Sequence, residues 1–225
     1  MEESKWPARW RQFVRMGDDV NMTWLGATFA FAVSMSASPG PNNAMVAASG
    51  ATWGFRRTVP HMLGISLGLA AMLAAVALGA GEVLRAHPWL QGLLRWVGAA
   101  YLAWLAWRIA TADVGTAPPL SHEAAGSRPL SFIQGALFQW VNPKAWIVAL
   151  GAVGAYITSS GAGFIAQAAL LAGIVFLVTL PSVAFWTMVG VGAGMMLRTG
   201  AARRVFNLAM ALLLAASLVP LLLGQ

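Results

Sequence analysis

The sequence predicts an all-α, polytopic membrane protein with six transmembrane helices. They are expected as a 3+3 inverted repeat whose first and fourth helices are broken. Three observations predict this. Of 225 residues, 59% are hydrophobic and only 9% charged, against about a quarter charged in a soluble domain. Apolar stretches near the ~20 residues needed to cross a bilayer recur along the chain. Two polar interruptions, Ser38-Pro39-Gly40-Pro41-Asn42-Asn43 and Asn142-Pro143-Lys144, fall inside stretches otherwise apolar enough to cross.

Residues 1–21 read as a charged N-terminal extension, disordered or interfacial. Four bases balance four acids there, and Trp6 and Trp10 suit the headgroup region. The segment lacks the apolar core of a signal peptide, and Met22 offers a second start. From residue 22 to 225 the chain reads as one transporter-sized bundle. Its halves are about 22–111 and 130–225, joined by a polar linker at 112–129.

The first span runs from Thr23 to about Ser38 and continues past the break through Ala44 to Ala48. A basic turn, Gly54-Phe55-Arg56-Arg57, follows. The second span is roughly Pro60 to Val83, and the third roughly Trp89 to Ala110. The fourth runs from about Leu130 to Ile157, interrupted at Asn142-Pro143-Lys144. The fifth extends from Phe164 to about Met196 with Pro181 inside it, over-long for one perpendicular crossing, so tilt or a kink at Pro181 is expected. The sixth is Val205 to Leu223. Three spans per half is an odd number, so a two-fold repeat must be inverted. A shift of 101 aligns the breaks and pairs Ala44 with Ala145, Ala48 with Ala149, Gly50 with Gly151 and Ala51 with Ala152.

Charge sets an expected orientation. The formal net charge is +7, all of it after Met22, where ten bases face three acids. Most of these bases lie in the odd-numbered loops, which the positive-inside rule places in the cytoplasm, leaving both termini outside. In a soluble protein a pI near 11.3 would suggest nucleic acid; in this setting the basic loops read as topology, and no nucleic-acid partner is expected. Arg56 and Arg57 most simply set topology, with gating as the second reading.

The breaks carry the chemistry. Lipid tolerates non-helical backbone only where protein buries it or a watery cavity meets it. Pro39 and Pro41 lack N–H groups, and Gly40 is free to take backbone angles closed to other residues. The helix restarting at Pro41 presents N-terminal amides, a site for a carboxylate. Asn42 and Asn43 both donate and accept hydrogen bonds. Lys144 is the one charge deep inside an expected span, where an ionisable residue marks function. It would hold a substrate carboxylate or structure the facing break; snorkelling to the interface is the plainer alternative. Gln139, Asn142, Asn42 and Asn43 complete the polar lining, and Pro39, Gly40, Pro41, Pro143 and Pro181 are the expected hinges. Gly64 and Gly68 form a small-xxx-small pair for close helix packing, as does the Gly190 to Gly194 run.

Other chemistries find little support. The chain has no cysteine, which excludes disulfides and thiolate sites. His61, His87 and His122 are scattered near loops without metal-ligand spacing, and no acidic residue lies inside a span, Glu82 sitting at the end of the second. No GxxxxGK[ST] loop is present. Neither a cofactor, a metal nor an enzymatic activity is expected.

The run Pro39-Gly40-Pro41-Asn42, followed by Gly50, Gly54-Phe55-Arg56 and Gly64 with Gly68, resembles the amino-terminal signature of the LysE/RhtB superfamily of amino-acid exporters. Asn142-Pro143-Lys144-Ala145 is similar to that family's second motif. The resemblance covers about Met22 to Leu223. It implies a multi-pass protein of the bacterial inner membrane that exports amino acids or related metabolites by alternating access, coupled to a proton or ion gradient. The missing intramembrane acids, with Lys144, resemble the branch exporting neutral amino acids such as homoserine or threonine. The expected partners are therefore a small amino-acid substrate and the lipid bilayer, with a homo-oligomer left open. A non-transporting membrane scaffold and a passive channel are the competing readings.

Overall fold

A computed structural model of the protein describes residues 20–111, 129–158, 162–196 and 199–219. Most of the expected N-terminal extension and of the expected central linker lies outside the described residues. Among those described, the regular structure is entirely helical: α1 (Met22–Ala37), α2 (Pro41–Trp53), α3 (Phe55–Ala75), a π-helical turn (Val76–Ala80), α4 (Gly81–Ala86), α5 (Pro88–Ala110), α6 (Phe132–Val141), α7 (Pro143–Tyr156), α8 (Ala162–Met196) and α9 (Gly200–Ala216).

Two helical runs are long and apolar enough to cross a membrane by themselves, Phe55–Ala86 and Gly163–Met196. At 1.5 Å per residue, their 32 and 34 residues exceed a hydrocarbon core about 30 Å thick. Only 28% of the most apolar window of the second run is buried. Leu177, Phe185 and Met188 of α8 all stand exposed, as suits a helix whose solvent is lipid. The other expected spans are built differently. The first is divided between α1, with 16 residues, and α2, with 13. The fourth is divided between α6, with 10, and α7, with 14. α5 has 23 residues but carries Arg95, and α9 has 17.

Several expectations need correcting. The second helix starts at Phe55, not at Pro60, because Gly54 at φ 78° ends α2 and turns directly into α3. Pro60 and His61 therefore lie inside the helix, and His61 is fully buried, not near a loop. The run expected to continue to Val83 is kinked at Gly79, whose φ of 113° belongs to the region that favours glycine. Helix α8 runs continuously from Ala162 to Met196 with Pro181 inside it.

Close crossings hold the bundle together. A β-carbon on Gly64 would strike the Phe132 carbonyl of α6, and one on Gly68 would lie 2.6 Å from Ala136 Cα. The small pair thus lets α3 and α6 approach backbone to backbone, as its spacing predicts. Gly190 and Gly194 do the same for α8 against Ala47 and Ala51 of α2. Larger side chains fill the space on either side. One buried cluster joins Met72 and Leu73 of α3 with Ala145 and Ala149 of α7 and Leu171 and Val175 of α8. Another joins Met45 of α2, Leu102 of α5, Phe138 of α6 and Leu214 of α9.

Candidate functional site

The two helix breaks meet. Helix α1 ends at Ser38, whose N–H still reaches the Ser34 carbonyl, and α2 restarts with Pro41 in its first turn. Proline suits that position because its missing N–H would have had no helical partner. The turn leaves the carbonyls of Ser36 and Ser38 without helical donors. Asn43 supplies both, its Nδ2 lying 2.9 Å from each oxygen. At the second break Asn142 caps α7 by accepting from the Lys144 N–H at 3.1 Å, and Pro143 again takes the first position.

Side chains then cross from one break to the other. Lys144 Nζ donates to the Ser38 carbonyl at 2.9 Å and lies 2.8 Å from Ser38 Oγ. Asn42 and Gln139 exchange amide hydrogen bonds in both directions, at 2.9 and 3.1 Å. Gln139 is fully buried and also donates to the Gly135 carbonyl one turn earlier. Gly40 is extended, with φ 179°, so its role is not the unusual backbone angle expected of it. It is small because Lys144 lies over it: a β-carbon would sit 3.0 Å from Lys144 Cδ.

Two cavities flank this junction. The larger, about 420 Å³, is lined by Pro39, Pro41 and Pro143 from the breaks, with Gln91, Arg95 and Trp146 among its other walls. The smaller, about 40 Å³, is enclosed by Ser36, Asn42, Asn43, Asn142 and Thr179. Gly40 and Lys144 line both. They form the septum between a roomy vestibule and a narrow crevice whose walls mix these polar groups with Met35, Leu69, Val148 and Val183. The vestibule is in the size range of small-molecule sites, and its charged linings, Lys144 and Arg95, are both cations.

Most of the expected residues are thus brought together: Pro39, Gly40, Pro41, Asn42, Asn43, Gln139, Asn142, Pro143 and Lys144. Arg56 and Arg57 are not; they are exposed at the start of α3 and line neither cavity. Pro181 lines a separate apolar recess between α1 and α8. Sequence reasoning missed the hydroxyls that support the first break. Ser36 Oγ is 3.1 Å from Thr179 Oγ1, and Ser182 Oγ donates to the Ser36 carbonyl at 2.9 Å. The one available signal was that Thr179 and Ser182 flank Pro181. Gln91 and Arg95 were also missed, because they come from α5, which carries no break. Among the described residues no cluster of three or more His, Cys, Asp or Glu could hold a metal.

Comparison with known proteins adds an identity to this geometry. Residues 33–223 match the family model of the LysE type translocator. The cysteine/O-acetylserine efflux protein of Salmonella choleraesuis strain SC-B67 is 32% identical over 133 residues, covering 59% of this chain and 65% of that protein. The cysteine/O-acetylserine efflux protein of Escherichia coli strain K12 is 30% identical over 135 residues, covering 60% of this chain and 66% of that protein. The matched stretch thus spans a little under two thirds of these relatives. No solved structure matches the chain.

Proposed function

The chain belongs to the LysE type translocator family, and from that premise we propose that it is a secondary exporter of small neutral amino acids working by alternating access. As a family of translocators, it performs transport and not catalysis. The observation that carries the proposal is the pair of cross-links between the breaks, which join residues 97 and 106 positions apart beside a cavity.

The chemistry suits a zwitterion. The first amides of α2 have no helical acceptors and carry the positive end of its dipole. With Lys144 they would bind a carboxylate. In the described arrangement Ser38 holds the ammonium, so an arriving carboxylate competes with Ser38 for it. Release of Ser38 would open the septum, joining vestibule to crevice. Asn42, Gln139 and Asn142 would exchange partners as the breaks move. The relatives handle cysteine and O-acetylserine; compounds of that size, including homoserine and threonine, form the proposed substrate class.

The proposed membrane topology has six crossings in the bacterial inner membrane, with both termini outside. The broken pairs α1–α2 and α6–α7 serve as first and fourth, α3–α4 and α5 as second and third, and α8 and α9 as fifth and sixth. An inverted repeat is supported by the aligned breaks: Asn43 and Lys144 occupy equivalent positions, each in the first turn of the helix that restarts after its break.

The test is efflux from vesicles containing the pure protein, loaded in turn with a panel of amino acids, with and without a pH gradient. The expected result is efflux of small neutral amino acids that a gradient accelerates. Flux indifferent to any ion gradient would favour a passive channel. No efflux of any amino acid would favour a non-transporting scaffold.

A further inference from the structure

His61 lies fully buried on α3, and neither ring nitrogen has a hydrogen-bond partner. A neutral imidazole carries one N–H donor and one acceptor, so both are left unmade, which costs free energy. An imidazolium at the same place would bury two unmade donors and a charge, which is worse.

The helices around it offer no relief. α3 packs on α2, α6, α7 and α8. α2, α6 and α8 contain no Asp, Glu, Lys, Arg, Tyr or further His. The remaining titratable groups on packed elements are Lys144 and Tyr156 of α7, with Arg56 and Arg57 exposed on α3 itself. None is a carboxylate. Glu82, the one carboxylate side chain among the described residues, is exposed on α4 and paired with Arg85 at 2.9 Å. The described arrangement therefore admits only neutral His61. A proton can be held there only after neighbouring helices part and water enters.

The helix that must part is already tied to the site. The His61 ring lies against Gly135 of α6, where a β-carbon would come within 2.9 Å of His61 Cδ2. The Gly135 carbonyl accepts from Gln139, and Gln139 exchanges hydrogen bonds with Asn42. Moving α6 away from His61 moves the Gln139–Asn42 link with it. Uphill export needs an energy source, and the chain has no nucleotide-binding loop.

We propose that His61 is the proton-coupling residue of this exporter, binding a proton when α3 and α6 part and releasing it when they close. The inference rests on the export reading above. One N–H bond forms on taking a proton from water on one side and breaks on returning it to water on the other. Because protonation favours the parted state, the proton gradient biases the equilibrium that also governs the junction of the breaks.

The test uses the vesicles already described. His61→Gln keeps a buried polar side chain but cannot titrate. It should lose the acceleration by an imposed pH gradient while retaining exchange of labelled for unlabelled substrate across the membrane. A variant accelerated as strongly as wild type overturns the role, as does a wild type whose efflux ignores the gradient. Absence of all efflux from wild type overturns the export reading and this role with it. Should His61→Gln fail to assemble, deuterium exchange at the imidazole C2 of wild-type His61, followed by mass spectrometry, decides. Exchange far slower than at exposed His87, and accelerated in Gln139→Ala, is expected. Exchange as fast as at His87, or unmoved by Gln139→Ala, overturns the role.

Discussion

At the first break, the carbonyls of Ser36 and Ser38 draw donors from three places: Asn43 across the turn, Ser182 on α8 and Lys144 on α7. At the second break, the Trp140 carbonyl takes the Trp146 indole N–H at 2.8 Å, six residues away, and Asn142 donates its own N–H to the Gln139 carbonyl. The first break is therefore held largely by other helices and the second largely by itself. A break that satisfies its own backbone can travel as a rigid piece. A break satisfied from outside changes partners whenever those helices shift. The contrast teaches which of the two is the adjustable part, and equivalent substitutions in the two halves can test it.

The largest expected effect is at Lys144. Lys144→Met should lower efflux at least about tenfold, equivalent to about 1.4 kcal/mol, with normal amounts of protein in the membrane. It removes both donors that α7 sends to Ser38 together with the cation proposed for the substrate. The equivalent residue, Asn43, should act differently. Asn43→Ala strips the donor shared by Ser36 and Ser38 from within the turn, so its loss should appear first as reduced stability. Undiminished efflux in Lys144→Met would remove the proposed site.

Next come the aligned glycines. At Gly50 a β-carbon would strike the Thr187 carbonyl and lie 3.0 Å from Thr187 Cγ2, whereas Gly151 has nothing within 4 Å. Gly50→Ala should cost about 1–3 kcal/mol by overpacking. Gly151→Ala should be neutral, or stabilising by up to about 1 kcal/mol through helix propensity. Thermal melts of the purified variants read both. Equal costs would mean that the halves pack alike at these positions.

How much of this was legible follows from where the signal sits in the chain. The breaks were readable because proline, glycine and asparagine are punctuation inside an apolar run. Gly64 and Gly68 were readable because their spacing marks one helix face. The kink at Gly79 was not, since no proline accompanies it and the flanking residues, Val76 to Ala80, are as apolar as their neighbours. The supports at Thr179 and Ser182 lie 143 and 146 residues from Ser36, and no local pattern announces a partner that distant. His61 was misplaced because Pro60 looked like a helix start. In fact Gly54 makes the turn, and a proline in an early turn of α3 is accommodated.

A smaller effect is expected at the direct link between the halves. Asn42→Ala leaves Gln139 buried without its amide partner, a cost of about 1–3 kcal/mol. Gln139→Ala releases Asn42, which is only partly buried, so it should cost less. The double variant should be less harmful than the sum of the two, with a coupling of about 0.5–3 kcal/mol. Melting temperatures of the four proteins measure it, and strict additivity would mean that the reciprocal bond contributes nothing.

The smallest effect separates the two breaks most cleanly. Trp146→Phe removes the indole N–H from the Trp140 carbonyl but keeps an aromatic ring against Trp140, which now sits 6.0 Å away at 76°. One hydrogen bond of this kind is worth about 0.5–1.5 kcal/mol. The loss lies inside a self-contained break, at a carbonyl that takes its donor from the same break. Stability should therefore fall slightly while efflux stays within about twofold, a difference of about 0.4 kcal/mol in barrier. If efflux instead fell as far as in Lys144→Met, the second break would be as mobile during transport as the first. The rigid piece would then have to be sought elsewhere, in α8.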